Sequence, residues 1–232
     1  MRIAVVIPAV NEAASLPKVL ADIPRSFVSR IVVSDNGSTD DTIAVAQRHG
    51  ATVVCDTRRG YGFACWAGAS CVLDECDVIA FFDAAYKEDP GELPLVLAPI
   101  LEGRADFVLG SRVRYASRGA LRPAQRFGNW LTTYLMRGLY GLHITDLASF
   151  RAIRSPLLKR LDMRERTFGW PTEMIVKAAR AGARIVEVDV HYRPRSAGKS
   201  KVSGTLKGSA LAGVVILRTT LRYARWSLQP SG

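Results

Sequence analysis

Residues 2–12 read RIAVVIPAVNE and residues 30–42 read RIVVSDNGSTDDT. Each stretch opens on a short, β-branched apolar run and closes on turn formers and carboxylates. A continuous apolar run of this kind fits a strand covered on both faces, as in a parallel sheet. The same unit recurs at Thr52–Cys55, followed by RRGYG (58–62), and at Val78–Phe82, followed by DAAYKEDP (83–90). Helical stretches at Glu12–Ala21, Asp40–Arg48 and Gly62–Leu73 separate them. This βαβαβαβ order predicts a doubly wound parallel sheet with right-handed crossovers. Ligands of such sheets bind beyond the carboxyl ends of the strands. The residues just after each strand are therefore the candidates for chemistry.

Downstream the pattern changes. A strand is expected within Arg104–Arg112, then a Gly/Arg-rich loop through Pro123 and an aromatic-rich helix at Asn129–Leu142. An alternating strand follows at Val186–Tyr192, then a basic loop at Arg193–Lys201 and a last helical stretch across Leu206–Trp226. The Asn129–Leu142 helix reads either as a core or subunit-packing helix or as one lying at a membrane interface. Its Trp130, Tyr134 and Leu135 suit headgroup depth. The run ALAGVVIL in the last stretch is too short to span a bilayer but long enough to lie on one.

The chain has 232 residues, 48% of them hydrophobic and 23% charged, which excludes wholesale disorder and suits one domain with a small C-terminal extension. Asn11 and Glu12 interrupt the apolar opening too soon for a signal peptide. Four cysteines without a CxxC and three scattered histidines read as reduced thiols of a cytosolic protein without a zinc site. The net charge of +11 is unevenly placed. Residues 1–110 hold 9 basic and 15 acidic residues, net −6; residues 111–232 hold 23 basic and 6 acidic, net +17. One half is built around carboxylates and the other around anions. The basic half has no zinc-finger pattern, RRM-type aromatic signature or dense basic helix, so no nucleic-acid partner is expected. Pro8 stands where a dinucleotide-binding GxGxxG would begin, and GxxxxGK(S/T) is absent.

Three carboxylates stand out. Asp35 and Glu12 each follow a strand, where a carboxylate can accept hydrogen bonds from a base or a ribose. Ser38 is placed to cap the second helix, with Asp40 and Asp41 in its first turn. Asp83 ends the run VIAFF, where a charge is costly unless something binds it.

VIPAVNE, SDNGSTDDT, RRGYG, FFDAAYKEDP and DFVLGSR, in this order and spacing, resemble family 2 glycosyltransferases of the GT-A fold. LRPAQRFGN, TDLASFRAIRS, FGWPTEMIVKA and VEVDVHYRPRSAGKSKVSG narrow the likeness to the polyprenyl (dolichyl) phosphate mannose and glucose synthases. The resemblance implies an α/β, Rossmann-like and mostly parallel sheet with helices on both faces. It implies a GT-A domain over 1–205, with a nucleotide-binding half (1–110) and an acceptor-binding half (111–205). Residues 206–232 would form an amphipathic helix. The implied activity is inverting transfer of a hexose from UDP-glucose or GDP-mannose to a polyprenyl phosphate. The enzyme would be cytoplasmic, peripheral on an anionic membrane surface; a homo-oligomer is left open.

Residue by residue, the likeness assigns the nucleoside to Pro8, Ala9, Glu12 and Asp35, and the DxD segment to Asp83, Ala84 and Ala85. Asp83 would hold a divalent metal, Mn²⁺ or Mg²⁺, and the donor diphosphate. Arg112, Arg126 and Asn129 would receive the acceptor phosphate, and Asp146 would stand near the reaction centre. Arg195, Ser200 and Lys201 would belong to a loop that closes on the diphosphate. One departure stands beside these matches: the second DxD acid is Ala85, and Lys87 replaces a Gln-like ligand two residues on. Three readings stay open, namely a weakened metal site, a positive charge supplied by Lys87, or an engineered Asp→Ala change. Rival functions are transfer to a sugar hydroxyl, with Asp146 as base, an inactive sugar-nucleotide or lipid-phosphate binding protein, and a nucleotidyltransferase.

Overall fold

The structure is a computed structural model that describes residues 1–195 and 206–227. Ser200 and Lys201 lie outside the described residues. The strands are β1 (Ile3–Ala9), β2 (Arg30–Asp35), β3 (Thr52–Cys55), β4 (Val78–Phe81), β5 (Phe107–Ala116), β6 (Arg151–Arg154) and β7 (Ile185–Tyr192). The helices are α1 (Leu16–Asp22), α2 (Thr42–Arg48), α3 (Tyr61–Val72), α4 (Leu93–Leu101), α5 (Pro123–Tyr140), α6 (Ser155–Arg160), α7 (Trp170–Arg180) and α8 (Leu206–Arg222). The seven strands form one sheet in the order β3-β2-β1-β4-β6-β5-β7. All neighbours are parallel except β6, which runs antiparallel to both β4 and β5.

The continuous apolar runs are explained by cover on both faces. Val5 and Ile7 of β1 face a layer with Leu16, Val19, Leu93 and Leu97; Ala4 and Val6 face Cys65, Ala69, Trp170 and Met174. Gly68 of α3 lets that helix sit on β1, since a Cβ there would come within 2.5 Å of Val6 Cγ1. The first four strands match the expected parallel half.

Beyond β4 the structure holds what sequence periodicity did not show. β6 is a four-residue strand, RAIR, whose first arginine is buried. Helix α4 carries Pro94 and Pro99, and proline argues against helix in a sequence. Helix α5 begins at Pro123, six residues before the expected start, with Pro at its first position and Arg122 N donating to Gln125 Oε1 at 3.0 Å. Its fixed φ makes proline suitable there, although Arg-Pro reads as loop. The last helix ends at Arg222 rather than at Trp226.

Helix α8 packs on α5 and α7. Tyr140 Oη donates to Thr220 O. Beneath α8 a buried ion pair joins Lys177 Nζ to Glu173 Oε1 at 2.7 Å, and Nζ also donates to Asp162 O at 2.7 Å. The ammonium lies 4.7 Å from the Tyr223 ring and 5.1 Å from that of Trp226. Removing one partner strands the other charge away from water. Glu173→Ala is expected to cost about 3–5 kcal/mol, read as a lower urea midpoint at unchanged slope.

At the sheet's other end, Asp106 accepts from Arg184 Nη2 at 2.8 Å and from Arg184 N and Nε at 3.0 Å each. These bonds outweigh burial and hold its carboxyl at about 2, below the ordinary 3.8. A carboxylate depressed by folding adds stability above its unfolded value, lost as pH falls through the folded one. Asp106→Asn should therefore remove about 1 kcal/mol near neutral pH, after discount for solvent screening, and progressively less as pH falls toward 2. Urea unfolding of both proteins between pH 2 and pH 6 checks this.

Candidate active site

Strand β4 is fully buried over all four residues, and Asp83 stands two residues past its paired end. Tyr61 Oη, from the first turn of α3, donates to Asp83 Oδ1 at 3.3 Å. Lys87 Nζ lies 3.3 Å from Asp83 Oδ2. Burial pushes the Asp83 carboxyl up, but the Lys87 ammonium, with Arg112 and the Tyr61 hydroxyl, outweighs it and holds the group below the usual range. For Lys87, burial opposes the charge, while Asp83 and Glu88 together keep it protonated. Glu88 is buried; its Oε1 accepts from Ser149 Oγ, and among the described residues its Oε2 has no hydrogen-bond partner. Burial, with the charge of Asp83, pushes its carboxyl up. Also close is Arg151, 1% exposed, which donates to the carbonyls of Ala148, Ser149 and Pro171 and acts electrostatically on Asp83 and Tyr61.

The turns after β1 and β2 interlock. Asn11 N donates to Ser38 Oγ at 2.9 Å, Thr39 N to Asn11 Oδ1 at 2.7 Å, and Glu12 N to Thr42 Oγ1 at 2.8 Å. Ser38 does not cap the second helix, contrary to the sequence reading. Asp35 Oδ2 takes Gly37 N and Ser38 N at 3.0 Å each, and its Oδ1 takes Ser38 Oγ. Asp40 and Asp41 precede α2 rather than filling its first turn, and Asp40 Oδ1 receives Thr42 N at 3.0 Å. The Asn36-Gly37 turn causes the exchange, because it folds Ser38 back toward β1. Ala9 and Asp35 are register partners at the ends of β1 and β2, with Pro8 one residue earlier. Glu12 is buried, takes Ser15 Oγ at 2.8 Å and is ion-paired with Arg195. The structure thus joins the start of the basic loop to the end of β1.

A second cluster forms where β5 and β7 slip register between Ser111 and Tyr115. Such an irregularity re-aims side chains, and Arg112 emerges there. Its Nε and Nη2 donate to Asp146 Oδ2 and Oδ1, both at 2.7 Å, and its backbone N to Oδ2 at 2.9 Å. Leu147 N adds a bond to Asp146 Oδ1 at 2.8 Å. Asp146 is 1% exposed, so both its oxygens are engaged and shielded. Glu187 receives Thr145 N at 2.8 Å and Asp146 N at 2.9 Å, and burial pushes its carboxyl up. Asn129 bridges α5 to the same segment, giving Nδ2 to Thr145 O at 2.7 Å and taking Leu147 N at 2.9 Å.

Arg112, Arg126, Asn129 and Asp146 line one cavity of about 620 Å³, with Arg118 and Trp130. Asp83 is not on its wall. The Tyr192 ring joins the two clusters, 5.0 Å from Arg112 Cζ and 5.5 Å from Lys87 Nζ. Sequence reasoning missed Tyr61, Glu88, Arg151, Tyr192 and Glu187. All five lie inside stretches quoted above and were open to notice, but Arg151, Glu187 and Tyr192 are brought to the site only by sheet order.

A divalent metal does not fit these residues. Ala84 and Ala85 are buried and offer no side-chain donor, and the only carboxylate of the DxD segment already faces an ammonium. Among the described residues no three His, Cys, Asp or Glu side chains converge. Residues 196–205 and 228–232 contain none of these types.

Asn129→Leu should release the 145–147 segment. Two hydrogen bonds of about 1 kcal/mol each are lost, and the Leu147 amide should exchange at least tenfold faster in native-state hydrogen exchange.

The sequence pattern described as Glycosyl transferase family 2 matches residues 4–162. The chain is 44% identical over 211 residues to an uncharacterised glycosyltransferase of Mycobacterium tuberculosis (strain H37Rv), covering 90% of this chain and 94% of that one. It is 32% identical over 227 residues to the undecaprenyl-phosphate mannosyltransferase of Micrococcus luteus, covering 92% and 93%. The crystal structure of glucosyl-3-phosphoglycerate synthase from Mycobacterium tuberculosis, in complex with Mn²⁺, UDP-glucose and phosphoglyceric acid, superposes with a TM-score of 0.77. At 24% identity, covering 100% of this chain and 81% of that one, it speaks for the fold alone. With a parallel nucleotide-type half, an antiparallel β6 and this degree of likeness along almost its whole length, the chain belongs to glycosyl transferase family 2 and is a glycosyltransferase of GT-A-like fold.

Proposed function

We propose that the chain transfers a hexose from UDP-glucose or GDP-mannose to a polyprenyl phosphate at an anionic membrane surface. The observation that carries this reading is the arginine-lined cavity beside an aromatic face. Arg112, Arg118 and Arg126 line it together with Trp130. Phe127, Trp130 and Tyr134 of α5 are 63, 58 and 65% exposed and follow one another with ring centroids 5.9 Å apart. Leu211, Val214 and Leu221 of the neighbouring α8 are exposed as well. A guanidinium fork suits phosphate, and aromatic side chains suit the headgroup boundary. Among the described residues no helix is long and apolar enough to cross a membrane, which is compatible with a surface-bound enzyme. The likeness to the undecaprenyl-phosphate mannosyltransferase of Micrococcus luteus supports the same acceptor class.

The state of Asp146 favours a phosphate acceptor over a hydroxyl. A hydroxyl needs a base at the attacking oxygen, and both oxygens of Asp146 are taken by Arg112 and Leu147. A phosphate monoester, with a second pKa of about 6, is already a nucleophile near neutral pH and needs only to be placed. Its oxygen attacks the anomeric carbon as the bond to the nucleoside diphosphate breaks, with inversion. In this reading the 1–110 half holds the donor, through Pro8, Ala9, Glu12, Asp35 and Asp83. The 111–205 half holds the acceptor, through Arg112, Arg126 and Asn129, and 206–232 lies on the membrane. Arg195, with Ser200 and Lys201, meets the diphosphate. Asp146 is then a positioning residue that aims Arg112.

Sugar transfer from UDP-glucose and GDP-mannose to a short polyprenyl phosphate tests this. Product is expected with the phosphate and none with the parent polyprenol or with phosphoglyceric acid. Arg126→Ala should raise KM for the lipid at least tenfold while kcat falls by less than threefold. Trp130→Ala with Tyr134→Ala should abolish flotation with anionic liposomes and leave the fold intact by circular dichroism.

A further inference from the structure

The segment 83–87 is built as a device for returning a charge to its own start. Tyr86 has φ +53°, a left-handed conformation that is uncommon for an aromatic residue and marks a constrained turn. Immediately after it, Lys87 carries its ammonium back to 3.3 Å from Asp83 Oδ2. The backbone is held from the far strand: Arg193 N donates to Lys87 O at 2.8 Å, and Glu88 bridges to Tyr192 at the end of β7. Arg193 also stacks over Tyr86, with Cζ 4.8 Å from the ring centroid. The side chains of Asp83 and Lys87 are each 23% exposed, so the pair is reachable from solvent rather than sealed in the core.

Charge bookkeeping completes the picture. Two carboxylates with a divalent cation sum to zero. Asp83 with Lys87 also sums to zero, with one carboxylate lost at Ala85 and an ammonium in place of the dication. A dication entering at the strand end would meet an ammonium already beside Asp83, the one carboxylate of the 83–85 segment. Charge-assisted hydrogen bonds from a lysine to phosphate oxygens are strong and common. An ammonium fixed in position can stabilise charge that develops on a departing diphosphate.

We propose that the Lys87 ammonium, held by Asp83, takes the place of the divalent cation against the donor's diphosphate, so that this chain binds and uses its nucleotide donor without metal. The inference rests on the donor reading above and assigns Lys87 as the residue that touches the diphosphate. The pair of Asp83 and Lys87 forms one unit: the carboxylate positions and keeps the ammonium charged, and the ammonium makes the contact.

Titration calorimetry of the full chain with UDP and with GDP, in EDTA and in Mn²⁺, tests the proposal without reference to turnover. One of the two nucleotides is expected to bind with Kd values within threefold in the two conditions. Lys87→Gln should weaken binding in EDTA at least tenfold, and Lys87→Arg should recover it to within about threefold. Thermal melting of each variant confirms that the loss is local. Ala85→Asp combined with Lys87→Gln rebuilds a two-carboxylate site and should bind at least tenfold tighter with Mn²⁺ than in EDTA. Wild-type binding that needs Mn²⁺ would overturn the proposal and leave the donor reading standing. Unchanged binding by folded Lys87→Gln would do the same. No binding of either nucleotide in either condition would overturn both.

Discussion

A carboxylate at the end of a strand buried on both faces has to be compensated, and the arrangement around Asp83 follows from that constraint. Strand β4 delivers Asp83 out of a core where Val78, Ile79, Ala80 and Phe81 are wholly inaccessible. Water solvates it only in part, so the protein supplies the rest: the Tyr61 hydroxyl from α3 and the Lys87 ammonium from the following turn. Each has its own support. Tyr61 is placed by the close seat of α3 on residues 165–166, where Gly62 leaves no room for a Cβ, which would lie 2.7 Å from the Arg166 backbone. Lys87 is placed by the end of β7. A single buried charge thus couples three elements far apart in sequence.

The acceptor-side cluster obeys the same logic with opposite sign. Arg112 leaves the sheet at a register slip and would be a desolvated cation without Asp146, which returns two charge-assisted bonds in fork geometry. Glu187 and Asn129 then fix the backbone that carries Asp146. Arg118 and Arg126, exposed along the cavity, add two of the second half's positive charges there. The Tyr192 ring lies between the cation of the Asp83 cluster, Lys87, and that of the Asp146 cluster, Arg112.

Within family 2, the departure at Ala85 is local. The sheet, the interlocked turns after β1 and β2, and the Arg112–Asp146 pair stand independently of it, because none of their bonds passes through residue 85. What changes is the cation available at the strand end. The change is accompanied by a lysine four residues on whose side chain reaches back to Asp83, so it reads as an exchange of one neutral set of charges for another.

The parallel half of the fold was legible in the sequence because its strands are continuous apolar runs and its turns are rich in Asn, Gly and Asp, signals that local sterics and burial impose on neighbouring residues. The strand-end positions of Glu12, Asp35 and Asp83 followed from the same reading. The parts of Asp35 and Ser38 did not, since either residue can hold a turn and only the folding back of Asn36-Gly37 selects which. Nor did β6, α4 or the early start of α5: RAIR carries no periodic signal, and the prolines of α4 and α5 are acceptable only where the missing N–H is not needed. The sequence by itself determined the sheet type, the family likeness and the missing carboxylate at Ala85. Only the tertiary structure decided that Lys87 returns to Asp83, that Asp146 is taken up by Arg112, and that Arg195 meets Glu12. Arg112–Asp146 and Arg195–Glu12 join residues far apart in sequence, brought together by strand order and a bulge, and Lys87 returns over four residues only because Tyr86 takes a left-handed turn; none of these leaves a periodic trace along the chain.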